Sequence, residues 1–100
     1  MPKIGKAARG KHRWIGLEFS SKFSNYEVLR DELKNKLSYS KLKIYDFVVD
    51  GDRRTCIIKV DLEDYIVVRS KLGTPGDILS VTSSGKIKLV RNRLDELFQR

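Results

Sequence analysis

One hundred residues, 40% of them hydrophobic and 9% aromatic, are enough for one domain with one core and too few for a second. The single cysteine, Cys56, excludes a disulfide framework, and no apolar run approaches the ~18 residues of a membrane span or resembles a signal peptide, so the expected compartment is the cytoplasm. A net charge of +8 and a pI near 9.8 argue for a polyanionic partner, against the bland alternative of a solvated charged surface.

Most of the excess charge sits at one end. Residues 1–13 hold Lys3, Lys6, Arg9, Lys11 and Arg13 and no acid, a charge of +5, whereas residues 14–100 contribute +3. Residues 1–12 include Pro2, Gly5, Ala7, Ala8 and Gly10 with Ile4 as the one branched apolar residue, too little to offset the entropy of ordering. They are expected to form a flexible basic N-terminal arm, leaving residues 13–100 as a single α+β domain.

From Trp14 the pattern has period two, with Ile15, Leu17 and Phe19 on one side and Trp14, Gly16 and Glu18 on the other, which predicts a first strand. Ser24 followed by Glu27 matches a capping box, and Tyr26, Leu29, Leu33 and Leu37 recur at helical spacing, so Asn25–Leu37 reads as an amphipathic helix ended by Ser38-Tyr39-Ser40. Leu42–Val49 and Thr55–Val60 are strand-like runs joined by the turn pair Asp50-Gly51. Asp61 is placed to cap a second helix with Leu62, Tyr65, Ile66, Val68 and Leu72 on or near one face, stopped by Gly73 and Pro75. Ile78–Thr82 reads as a short fourth strand. Ser83-Ser84-Gly85 reads as a loop into a last helix whose Ile87, Val90, Leu94, Leu97 and Phe98 share an apolar face.

The order strand, helix, strand, strand, helix, strand, helix points to an α+β fold, a ferredoxin-like or RRM-like α-β sandwich (βαββαβ) with an additional C-terminal helix. The last helix must bury its stripe either on the otherwise open face of the sheet or against a partner protein.

Side-chain catalysis has little to work with. His12 is the sole histidine and falls in the arm, so neither a nucleophile dyad, a triad nor a metal-ligand cluster can be assembled, and no cofactor or metal is expected. Cys56 lies in a strand with Ile58 and Val60 on its side and reads as a buried structural thiol. Asp61, Glu63 and Asp64 read as acids at a helix start rather than as a metal or acid-base site. Base stacking on aromatics of the two central strands is disfavoured, because the third strand offers no aromatic and the first offers Trp14 at its edge, followed by Gly16 and Glu18 on the same side. Backbone and shape readout through charge, helix ends and loops is favoured instead.

The best local candidate is Ser83-Ser84-Gly85 entering the acid-free basic cluster Lys86, Lys88, Arg91 and Arg93. Helix-start amides, two hydroxyls and a glycine that permits close approach suit a phosphate. The same residues suit a simple helix cap with solvated lysines equally well.

Three stretches carry a family resemblance: Lys11-His12-Arg13-Trp14-Ile15-Gly16-Leu17-Glu18; Thr55-Cys56-Ile57-Ile58-Lys59-Val60-Asp61 with Tyr65 and Arg69; and Ser84-Gly85-Lys86-Ile87 with the basic residues after it. In order and spacing the chain resembles archaeal ribonuclease P protein component 2, relatives of the eukaryotic Pop-five subunit. Lys86 stands where that family commonly has threonine, and Trp14 where tyrosine is common. The resemblance implies a protein subunit that binds the catalytic RNA and supports 5′ leader removal from precursor tRNA, with no active site of its own. It also implies pairing with ribonuclease P protein component 3, two copies of each. Carried over, Lys11 and Arg13 would contact RNA from the arm, Ser84, Gly85 and Lys86 would approach its backbone, and Lys88, Arg91 and Arg93 would extend the positive surface.

Other classes compatible with the charge are another RNA-binding ribonucleoprotein or ribosome-associated protein, and a nonspecific nucleic-acid-binding chromatin protein. A small ferredoxin-like enzyme such as an acylphosphatase would need a phosphate-cradling loop with an arginine after the first strand, which Ser20-Ser21-Lys22-Phe23 does not supply.

Overall fold

In the computed structural model, which describes residues 12–23, 25–37, 43–73 and 76–98, the alternating segment forms strand β1 (His12–Phe19). β1 starts earlier than the sequence suggests: His12, expected in the arm, is already paired opposite Asp61. The rest of the arm lies outside the described residues. Helix α1 (Tyr26–Leu37) follows, and its Leu29, Leu33 and Leu37 fall one turn apart and are buried. The expected cap Ser24 lies outside the described residues; Asn25 takes the role, its Oδ1 accepting the Glu27 amide at 2.8 Å.

Strands β2 (Lys43–Asp50) and β3 (Arg53–Asp61) form the expected hairpin. Gly51 supplies the left-handed φ of 60° that a two-residue turn needs at its first central position. Helix α2 (Leu62–Lys71) begins directly after β3. Asp61 stands at its N-cap position with extended backbone but makes no side-chain capping hydrogen bond, contrary to expectation. It is still paired in the sheet opposite His12, so no loop intervenes to turn its carboxylate onto the helix. A second correction concerns Ile66, which is 75% exposed, while Val68 and Leu72 are buried. At ~100° per residue, a position two removed from Val68 falls on the far side of the helix.

Strand β4 (Ile78–Ser84) runs two residues beyond the expected Thr82, and helix α3 (Ile87–Leu97) ends the described chain. The fold is α+β: a four-stranded antiparallel sheet in the order β2-β3-β1-β4 with three helices. α1 and α2 cover one face, where Leu29, Leu33, Val68 and Leu72 close over Ile15, Leu17, Cys56, Ile58 and Val60. α3 lies on the other face, where Val90 and Leu94 pack on Ile57 with Trp14, Tyr45, Val81 and Ile87 around them. Of the two alternatives for the last helix, the open face of the sheet is the one realised. Among the described residues, no helix is long and apolar enough to cross a membrane.

Two irregularities shape that second face. β2 is bulged between Tyr45 and Val48, with Asp46 at φ 52°, and β4 is bulged opposite Gly16 and Leu17, with Val81 as the extra residue. The first bulge accompanies the contact of Asp46 with α3; the second leaves Val81 in the cluster beneath that helix.

Candidate nucleic-acid interface

β1 and β4 are antiparallel, with Trp14 paired to Ser84 and Ile15 to Ser83. The start of β1 and the end of β4 therefore share one end of the sheet, and α3 begins there. Strand alternation puts Arg13 on the same face as Ile15 and Leu17, the face covered by α2. There the Arg13 guanidinium carbon lies 5.8 Å from the centre of the Tyr65 ring, and that of Arg69, one turn further along α2, lies 6.0 Å from the same centre. One tyrosine ring thus holds two cations near the face of its π system.

The Tyr65 hydroxyl links this pair to β4. It lies 2.7 Å from Ser83 Oγ, and Arg69 Nη1 donates to it at 3.3 Å. Because a guanidinium only donates, Tyr65 Oη accepts from Arg69 and is free to donate its own proton to Ser83. From the other face of the sheet, Arg93 Nη1 donates to the Ser83 carbonyl at 3.0 Å and to Thr82 Oγ1 at 3.3 Å. Arg13 also borders Gly85, where a Cβ would come 3.3 Å from Arg13 Nη1. Guanidinium groups from β1 and α3 therefore border residues 82–85 directly, and that of Arg69 on α2 joins them through the Tyr65 hydroxyl. None of the ion pairs among the described residues involves Arg13, Arg69 or Arg93.

The expected residues are placed as follows. Lys11 lies outside the described residues. Ser83 and Ser84, read as loop, belong to β4, so the connection to α3 is Gly85-Lys86 alone. Backbone pairing with β1 overrides the weak strand preference of serine. Ser84 Oγ accepts the Lys86 amide at 3.2 Å, and Lys86 occupies the N-cap position of α3 without a side-chain capping bond. Lys86 and Lys88 are both exposed at this helix start. Arg91 is not brought into the cluster. It reaches across to β2, where its Nε donates to Asp46 Oδ2 at 2.6 Å and Nη2 to Oδ1 at 3.3 Å, and this carboxylate makes the Arg91 guanidinium hold its own proton more firmly than usual.

Ser83 belongs to the stretch the sequence singled out, whereas Tyr65 and Arg69 were not among the sequence-predicted site residues. The available signal was the spacing of Tyr65 and Arg69, one helical turn apart on a helix with a basic last turn.

Cys56 is fully buried, and burial pushes its thiol up to about 12. Asp61, Glu63 and Asp64 bring carboxylate oxygens within 4.8 Å of one another at the start of α2, where the helix dipole favours acids without requiring a cation. No family model matches the sequence, and no curated protein matches it.

Proposed function

We propose that this chain is an RNA-binding, non-catalytic protein subunit of an archaeal-type ribonuclease P, corresponding to protein component 2, and that it acts in the cytoplasm. The observation that carries the reading is the convergence of Arg13, Arg69 and Arg93, unpaired with any acid among the described residues, on the Ser83-Gly85 segment. Guanidinium groups fixed by an aromatic ring and by backbone suit consecutive phosphates, because their donors are already oriented when the anion arrives. The β2-β3-β1-β4 order with α1 and α2 on one face supports reading the sandwich as ferredoxin-like, with α3 as the addition.

In this role the RNA subunit performs the metal-assisted hydrolysis that removes the 5′ leader of precursor tRNA. The protein lowers phosphate repulsion within the folded RNA and so reduces the magnesium it needs. Protein component 3 is the expected protein partner, two copies of each.

The test is cleavage of precursor tRNA at low magnesium by a ribonuclease P RNA, with protein component 3 present and this chain added or omitted. Stimulation that requires both proteins supports the assignment. Absence of any effect, despite tight RNA binding, moves the chain to another ribonucleoprotein.

A further inference from the structure

The face of the sheet under α3 is only partly covered by it. Val90 and Leu94 sit over Gly16 and Ile57, near the middle of the sheet. At the end where β1 and β2 begin and β3 finishes, the same face carries Trp14, Tyr45, Lys43 and Lys59. Register makes them neighbours, since Lys59 is paired with Trp14 on one side and with Lys43 on the other, and Tyr45 lies two residues along β2.

Trp14 and Tyr45 meet edge to face with centroids 5.1 Å apart and ring planes at 74°. Lys59 Nζ lies 5.4 Å from the centre of the Trp14 ring. Neither ring is fully buried, and Lys43 is exposed. Lys88 lies on the flank of α3 that turns toward β2 and β3, because Arg91 and Asp95, three and seven residues on, reach Asp46 and Arg53. On this flank Asp46 is already held by Arg91, and Asp61 stands at the outer end of β3, opposite His12.

An aromatic pair that served only as core would be closed over by apolar side chains. This pair rests on the Ile57, Val90 and Leu94 cluster on one side and has the His12 ring edge-on to Trp14 at 5.5 Å, but it stays part-open beside Lys43 and Lys59, with the Lys59 ammonium near the face of the indole. We infer that Trp14 and Tyr45 form a stacking platform for one unpaired base of RNA, with Lys43, Lys59 and Lys88 meeting the phosphates on either side of it. The inference rests on the RNA-binding reading above and adds to it a single-stranded subsite beside the arginine cluster, on the other face of the same end of the sheet. Stacking on a π face is tolerant of base identity, so the subsite selects unpaired over paired nucleotides rather than one sequence.

Trp14 is the only tryptophan, which makes its fluorescence a direct probe. The intact protein is titrated with hexauridylate and, separately, with a blunt RNA duplex, while binding of a structured ribonuclease P RNA is followed by filter retention. Hexauridylate is expected to quench Trp14 and the duplex to leave it nearly unchanged. Tyr45→Ala, and independently the surface change Lys59→Gln, are expected to weaken hexauridylate binding by roughly fivefold or more. Absence of quenching by hexauridylate, with the structured RNA still bound, overturns the platform and leaves the RNA-binding reading standing. Quenching that is indifferent to both substitutions also overturns it, because the signal then comes from a distant site. Failure of every RNA to bind removes both.

Discussion

Gly16 and Val90 meet at a point where no side chain fits: a Cβ on Gly16 would lie 3.0 Å from Val90 Cγ1, 2.8 Å from Thr82 Cγ2 and 3.2 Å from Leu94 Cδ2. The absence of that atom lets α3 come down onto the centre of the sheet, and Val90 and Leu94 are the residues of that helix that become buried.

Gly16→Ala is therefore expected to lower stability by about 1–3 kcal/mol, the usual range for overpacking a well-filled site. Urea unfolding measures the loss. Amide exchange should locate it, with protection falling in residues 87–97 before it falls in α1. A wild-type midpoint would mean that α3 is not seated on Gly16.

The Asp46–Arg91 pair separates charge from backbone. Asp46 has φ 52°, a region that asparagine tolerates and β-branched residues do not. Asp46→Asn removes the charge and is expected to leave the unfolding midpoint nearly unchanged, because both partners are solvent-exposed. Asp46→Val should cost a further ~1–2 kcal/mol through the left-handed backbone. Equal losses in the two variants would show that backbone conformation contributes nothing there.

RNA affinity measured against salt concentration should single out the converging arginines. Arg69→Ala and Arg93→Ala are each expected to reduce the slope of log K against log salt by about one phosphate contact. Lys86→Ala combined with Lys88→Ala should also weaken binding and flatten the slope. Arg91→Ala, whose guanidinium already pairs with Asp46, should change the slope least. If Arg91→Ala proves as costly as Arg69→Ala, the binding surface lies on the β2 side of α3 instead.

Cys56 predicts an alkaline limit to stability. Its thiol is held protonated to about 12 in the folded chain, against 9.0 as the ordinary value. The unfolded chain loses that proton first, so stability falls as pH rises between those values and is unaffected by this group below them. Cys56→Ala lacks the group and escapes the loss. The stability difference between wild type and Cys56→Ala should shift in favour of the variant by roughly 2 kcal/mol between about pH 8 and about pH 10.5. A difference independent of pH would mean that the thiol titrates normally.

Much of the element order was legible because the residues signal it locally. The alternation of Ile15, Leu17 and Phe19 and the one-turn spacing of Leu29, Leu33 and Leu37 do not depend on neighbours, and both are buried as that pattern requires. Misreadings arose where a contact outranked the pattern. Ser83 and Ser84 look like loop because serine favours turns, yet pairing with Ile15 and Trp14 makes them strand. Ile66 looks like core because it is apolar, yet its angle on α2 turns it to solvent. Of the anticipated site residues, Arg13, Gly85 and Arg93 come together, while Arg91 is drawn off by Asp46, a residue whose bulge has no obvious sequence marker.

By itself the sequence determined the excess of positive charge, the alternation of strand and helix and the identity of most core side chains, because charge and periodicity are local properties of the chain. Only the tertiary structure decided that α3 occupies the second face of the sheet, that Arg13 and Arg69 share the Tyr65 ring on the first face, and that Trp14 finds Tyr45 beneath the flank of α3. Those relationships join residues far apart along the chain, and they follow from strand register, two bulges and one missing Cβ.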